Sequence, residues 1–358
     1  MSISRRAFAL SALALPALAA CGSSGSDEKK NGGADSGSGA SDGGGEKGAA
    51  AYPVTIEHIY GKTEIPAEPK RIATVSWVNA DSVLALGIVP VGMPDIEWGG
   101  NANKSTDWID AKLKELGAEK GSDKAPTTYS EANGVAFDQI AALTPDLIIG
   151  AYSGLTKDDY DKLSRIAPTI GPLAPNYTTA WPDTMAAVGK ATGREDEAKK
   201  IVDEVTAALA EVGEKNPEVK ESTFIAGNLD PAKNTIAVYT AGDTRPRFFT
   251  ALGMTQADVV TKNTKDKNTF LLEWSSERAD ELEGDIFYTW AAKGTTIPDI
   301  QANPLFNQVP AIKKGAVVLT ADDHLTLSIS AASALSLPWA IENVVPSVVD
   351  AVRVAKKG

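Results

Sequence analysis

One cysteine, Cys21, and two histidines, His58 and His324, are all that this chain of 358 residues contains of those types. A single thiol excludes an internal disulfide. Two histidines with no spacing that pairs them leave no imidazole metal site and deprive most acid-base chemistry of its usual base. Signatures of catalysis are absent as well. Gly150-Ala151-Tyr152-Ser153-Gly154 carries its serine one place too late for a nucleophile elbow. The one Ser-x-x-Lys, Ser26 to Lys29, falls in a glycine- and serine-rich stretch, and no phosphate-binding Gly-x-x-x-x-Gly-Lys loop occurs. Basic residues are in deficit, 35 against 47 acids, and the net charge of −12 argues against a nucleic-acid partner. No apolar run is long enough to span a bilayer.

What is present at the start is an address. Arg5-Arg6 precede a short apolar run from Ala9 to Ala20, and Leu18-Ala19-Ala20-Cys21 follows. Twin arginines before such a core resemble a Tat-like export signal, and Leu-Ala-Ala-Cys resembles a bacterial lipobox, so residues 1–20 are expected to be removed and Cys21 lipidated. Loss of Arg5 and Arg6 takes the net charge to −14. Residues 21–52 then form a flexible Gly/Ser tether, with an end-to-end distance of roughly 30 Å. The expected location is the outer face of the cytoplasmic membrane, reached only through the lipid.

From Val54 onward, short strands alternate with helices. A hairpin turns at Gly61-Lys62; strands are expected at Arg71–Val75, Pro90–Met93, Leu147–Ile149 and Thr169-Ile170, with helices through Leu86 and over 108–116, 137–143 and 158–166. The second half repeats the plan, with strands at Thr223–Ala226, Thr235–Tyr239, Asp285–Tyr288 and Val317–Leu319, and closing helices over 330–335 and 338–352. Between the halves, Met185, Val188, Ala191, Ala198, Ile201, Val202, Val205, Leu209 and Val212 keep to one helical stripe. Gly193 divides it, and Glu195-Lys199, Asp196-Lys200 and Glu211-Lys215 are spaced as i,i+4 ion pairs on its wet face. The fold class is therefore α/β: an N-terminal lobe over 53–180, connecting helices over 181–217 and a C-terminal lobe over 218–358. An internal echo supports equivalent lobes. Asp138, Leu143 and Asp146 precede Leu147-Ile148-Ile149 at the same offsets, five and eight, as Glu277, Leu282 and Asp285 precede Ile286-Phe287-Tyr288.

The lipobox, the tether, two α/β lobes about a long helix, and stretches such as Ile140-Ala141-Ala142-Leu143-Thr144-Pro145-Asp146-Leu147-Ile148-Ile149 resemble the ferric-siderophore binding proteins of ABC importers, a family that also binds vitamin B12 and haem. Asn303-Pro304-Leu305-Phe306 ahead of Val309-Pro310-Ala311-Ile312 resembles the siderophore branch. The resemblance implies the class III periplasmic-binding-protein fold, two Rossmann-like lobes joined by a single long α-helix. It also implies a monomer that takes a ferric siderophore as ligand, needs no cofactor, and delivers its cargo to a permease dimer. Haem, a corrinoid, or a cell-envelope interaction role remain the alternatives. In the family, acids at the positions of Asp138 and Glu277 pair with permease arginines. Asp138 stands where glutamate is more usual, and helix capping would equally explain both acids.

Ligands of open α/β sheets bind beyond the carboxyl ends of strands. The sequence puts Trp77, Asn79, Tyr152, Ser153, Tyr239, Arg245, Arg247, Trp290, Asp322 and His324 there. Aromatic walls suit a bulky chelate, and Arg245 and Arg247 suit an anionic one unless they form surface ion pairs. His324 is a ligand contact or a neutral structural residue; direct metal binding by the protein is not expected.

Overall fold

The computed structural model describes residues 51–266 and 269–357. Cys21, the apolar run before it and almost all of the tether lie outside these residues. Among the described residues no helix is long and apolar enough to cross a membrane.

The chain enters through the antiparallel hairpin β1 (Val54–His58) and β2 (Gly61–Ile65), turning at Gly61, whose φ of 126° only glycine adopts readily. Its inward side chains Val54, Ile56 and Ile65 join the first core. Five parallel strands follow: β3 (Ile72–Thr74), β4 (Gly92–Pro94), β5 (Thr127–Tyr129), β6 (Leu147–Ile149) and β7 (Thr169–Ile170), in the order β5-β4-β3-β6-β7. The order reverses between β3 and β6, and a crevice opens beyond their carboxyl ends.

The second sheet contains β8 (Thr223–Asp230), β9 (Thr235–Tyr239), β10 (Thr255–Gln256), β11 (Leu271–Ser275), β12 (Ile286–Trp290) and β13 (Val317–Thr320). Its path is β11-β9-β8-β12-β13, with β10 beside the start of β8. Here the sheet is mixed. β9 runs antiparallel to both β8 and β11, because β8 continues to Asp230 and hairpins directly back at Thr235.

The internal echo has a structural counterpart. Asp146, one residue before β6, accepts the Lys70 and Arg71 amides at 2.7 and 2.8 Å at the start of β3. Asp285, one residue before β12, accepts the Thr223 amide at 2.7 Å at the start of β8. In each lobe an aspartate thus pins the amino end of the neighbouring parallel strand, and the registers Ile72↔Leu147 and Phe224↔Ile286 follow.

The connecting stripe forms two helices, Trp181–Thr192 and Glu195–Lys215, parted by Gly193 in the left-handed region at φ 68°. Met185, Val188, Ala191 and Ala198 pack in the first lobe's core, while Val205, Leu209 and Val212 pack in the second's. One helix of 21 residues, about 30 Å long, is therefore rooted in both cores. On its wet face Lys215 pairs with Glu211 as expected, but Lys199 and Lys200 turn instead to Asp203 and Glu204, one turn further on. Exposed pairs of this kind exchange partners at little cost.

This helix is not the only join. Leu327 and Ala331 pack with Leu84, Met93, Trp108, Ile109 and Tyr152 of the first lobe. The helix expected over 330–335 is a break between helices Asp323–Ser330 and Ser336–Asn343. The Ser333 hydroxyl accepts the Leu335 and Ser336 amides, a local bond that competes with helix.

Candidate functional site

The crevice beyond β3 and β6 is built from strained backbone. Ser76 and Val78 have φ of 63° and 43°, as do Asn176 and Tyr177 at 53° and 60°. For a β-branched residue such as Val78 this is costly, and such strain persists where surrounding structure imposes it, often at ligand clamps. These loops present Trp77 and Tyr177 outward, stacked on one another at 5.6 Å between ring centres. Among the described residues, four large aromatic side chains are well exposed: Trp77, Trp98, Tyr177 and Phe270. Each lies in a loop just outside a sheet, and Trp98 meets Trp290 of the opposite lobe edge-on at 6.2 Å.

The first-lobe wall carries a recess of about 190 Å³ between Ser76, Glu131, Ser153, Gly154, Asp159 and Tyr177. At the reversal between β8 and β12, the second-lobe wall has a recess of about 410 Å³, lined by Asn228, Trp290, Thr295, Asp299, Ile300 and Phe306 among others. The Trp290 indole donates to the Tyr239 hydroxyl at 3.1 Å. Arg245 lies over the Tyr239 ring, 3.5 Å from its centre.

Several expected contacts are otherwise engaged. Arg245 is not a free cation: its Nε and Nη2 donate to the two oxygens of Asp243 at 2.8 and 2.6 Å, in a pair largely closed to solvent. Burial pulls the guanidinium pKa down, but the bond and charge of Asp243 outweigh it and hold the pKa above its ordinary value. Asn79 is fully buried and cannot meet a ligand; its side chain donates to the Val75 and Tyr152 carbonyls and accepts the Tyr152 amide, clamping the β3 and β6 loops together. Ser153 is buried with its hydroxyl donated to the Gly150 carbonyl at 2.6 Å. Tyr152 is buried too, its hydroxyl donating to Ser330 O of the other lobe. The His324 ring is wedged between Trp108 and Trp339, at 4.9 and 5.0 Å, with Nδ1 donating to Gly99 O at 2.6 Å. It is a structural wedge between lobes. Arg247 donates from Nε to Ala241 O and from Nη1 to Thr178 O, both at 2.9 Å, which leaves Nη2 without a partner among the described residues. Burial lowers its pKa against the opposing pull of Asp243 and Asp183. Among the described residues no cluster of acids, histidines or cysteines could hold a metal ion.

Glu131, Tyr177 and Asp243 escaped the sequence reading. Asp243 had a signal, as an acid at an N-cap two residues before an arginine. Glu131 had none, because β5 is three residues of Thr-Thr-Tyr without an apolar run.

Residues 72–324 match the model of a family described as periplasmic binding protein. The chain belongs to this family. Among solved structures it is similar to the iron-uptake ABC transporter substrate-binding protein PiaA of Streptococcus pneumoniae TIGR4 in complex with ferrichrome, at 30% identity over 84% of this chain and 99% of that one, with a TM-score of 0.75. Among curated relatives it is similar to the Fe(3+)-citrate-binding protein YfmC of Bacillus subtilis (strain 168), 29% identical over 72% of this chain and 75% of the relative. It also resembles the probable siderophore-binding lipoprotein YfiY of the same organism, 26% identical over 73% and 78%.

In this periplasmic binding protein the second contact between lobes is polar at its centre. Oδ1 of the buried Asp81 accepts the Trp108 indole at 2.9 Å and the Ser333 hydroxyl at 2.6 Å, the latter from the other lobe, while Oδ2 has no partner among the described residues. Burial pushes the carboxyl up to about 6, against the opposing pull of those two bonds. A carboxyl raised on folding binds protons better in the native state, so its stability contribution is complete below its ordinary value and is lost as pH rises through about 6. The loss amounts to about 3 kcal/mol. Asp81→Asn keeps the acceptor without the charge and should flatten the decline in unfolding free energy between pH 4 and 7.5, read by urea titration at each pH. Equal slopes for mutant and wild type would refute the assignment. Glu131, also raised, leaves a residual slope in both proteins.

Proposed function

We propose that this binding protein captures a ferric siderophore in the cleft between its lobes, as a monomer, and delivers it to an ABC permease for iron import. The single observation that carries the reading is the collection of Trp77, Tyr177, Trp98 and Trp290 around the two recesses, an aromatic lining suited to a bulky, pre-chelated ion. The names of similar proteins, for ferrichrome, Fe(3+)-citrate and siderophore binding, support the same cargo. Iron then arrives already chelated, and the protein supplies shape and π surface in place of metal ligands. A rigid helix rooted in both cores, with a second join between the lobes, favours a small hinge motion on binding.

The test is a titration of intrinsic tryptophan fluorescence with ferric hydroxamate, catecholate and citrate complexes, with haem and a corrinoid as controls. Saturable quenching by a ferric chelate but not by the controls is expected. Saturation by haem or the corrinoid alone would overturn the cargo assignment. We place the protein on the outer face of the membrane through a lipid on Cys21, consistent with the lipoprotein names of relatives. Cys21→Ala should move it from the membrane to the soluble fraction; unchanged fractionation would refute the anchor.

A further inference from the structure

Just past β5, Glu131 closes one side of the first-lobe recess. Its Oε2 accepts the Ser76 amide at 2.8 Å. Its Oε1 is shut off from solvent and has no hydrogen-bond partner among the described residues. An acceptor held in that state is costly, and a turn of the carboxylate toward the recess would let an incoming donor satisfy it. Burial pushes this carboxyl up to about 7, with the Ser76 bond opposing, so it is ionised at mildly alkaline pH.

The rest of the recess matches a cation. No lysine or arginine lines it, and its second acid, Asp159, is occupied at Oδ2 by the Thr156 amide and hydroxyl. Its wall is the Tyr177 ring, packed so tightly on Gly154 that a Cβ there would fall 2.6 Å from ring Cε2, and Trp77 stacks on the same tyrosine. A carboxylate beside aromatic faces is the combination that holds an ammonium group. Ser76, whose amide fixes Glu131, and Tyr177 both sit in the left-handed region, so the recess is held in shape rather than collapsed. Of the two arginines expected to favour a polyanion, Arg245 is paired with both Asp243 oxygens, and Arg247 keeps only Nη2 without a partner among the described residues.

We propose that Glu131 is a specificity-determining residue of the cleft that receives a cationic amine arm of the chelate, so that the preferred cargo is a ferric trihydroxamate bearing a free ammonium rather than a polyanionic citrate or catecholate complex. This rests on the siderophore-capture reading and specifies its ligand class. The recess takes the arm, and the iron centre stays among the aromatics.

The test is fluorescence titration at pH 8 of wild type, Glu131→Gln and Glu131→Asp with three probes: ferrioxamine B, which ends in a primary amine, its N-acetyl derivative, and ferric citrate. Wild type should bind the amine form about tenfold more tightly than the acetylated form. Glu131→Gln keeps the acceptor for Ser76 and should bring the ratio of the two trihydroxamate affinities to about one. Glu131→Asp should retain part of it. Equal wild-type affinity for the two trihydroxamates would overturn the role of Glu131, as would a preference that survives Glu131→Gln. Tighter binding of ferric citrate than of either would overturn the ligand class and leave siderophore capture standing. No quenching by any ferric chelate would sink capture itself and this inference with it.

Discussion

Cells carrying Asp138→Ala together with Glu277→Ala should lose uptake of radiolabelled ferric chelate to background, while the purified double mutant binds the chelate and melts as wild type does. The two acids hold corresponding places in the echoed segments. Asp138 is the second residue of helix Phe137–Ala142, and Glu277 the second of the short 3-10 segment Ser276–Glu281. Each segment leads back into its sheet just ahead of a parallel strand, β6 or β12, so its start lies toward the strands' carboxyl ends, the cleft side. Both side chains are exposed, and neither carboxylate has an ion-pair or hydrogen-bond partner among the described residues. Capping explains them poorly. No side chain caps the helix at Asp138, and the segment at Glu277 is capped by Ser275. What remains for stability is the interaction of an exposed acid with a helix start, about 0.3–1 kcal/mol each. Two exposed, unpaired acids at corresponding places in the echoed segments would suit a permease bearing two basic patches, where matched charge sets the docking orientation. Normal uptake by the double mutant would refute docking. A lowered melting temperature with proportionate loss of binding would return both acids to a structural role.

Arg245→Ala should destabilise the protein by about 3–5 kcal/mol in urea denaturation, a larger effect than any direct loss of a ligand contact. Removing the guanidinium leaves Asp243 buried without its partner, and strips the Tyr239 ring of the cation stacked on it. Asp243 also caps helix Thr244–Ala251 by accepting the Arg245 amide at 2.9 Å, so the unpaired charge cannot simply turn away to water. Arg245→Met combined with Asp243→Asn, which keeps the cap and removes both charges, should recover most of the loss. If Arg245→Ala unfolds at the wild-type urea midpoint, the pair is a surface ornament and Arg245 returns to the set of candidate ligand contacts.

Patterns that depend only on neighbours along the chain were legible without a structure. The helical stripe from Met185 to Val212 is buried at both ends and partly buried at Ile201 and Val202 in its middle, because a 3.6-residue period fixes which side chains share a face. Gly193 ends its helix because it alone takes φ 68° without strain. Short apolar runs bounded by glycine and proline became strands, and the Asp146 and Asp285 echo marked one strand-pinning contact that both lobes share. The N-terminal address lies outside the described residues and rests on its motif alone.

Only the tertiary structure decided which polar groups are available to a ligand. Asn79, Ser153, Arg245 and His324 stand in the right loops by sequence, yet each is engaged by a partner it meets across the fold or within its own turn, as most buried polar groups are. Asn79 meets the Tyr152 backbone, and His324 meets Gly99, at sequence separations of 73 and 225. Glu131 is the converse case. Nothing in its neighbourhood along the chain distinguishes it from any loop acid, and its buried, unpartnered carboxylate oxygen exists only because β5 brings it beneath Ser76 and beside Tyr177. Local periodicity fixes elements, but a binding site is made of residues left unsatisfied once distant loops have met, and that remainder is a property of the packed fold.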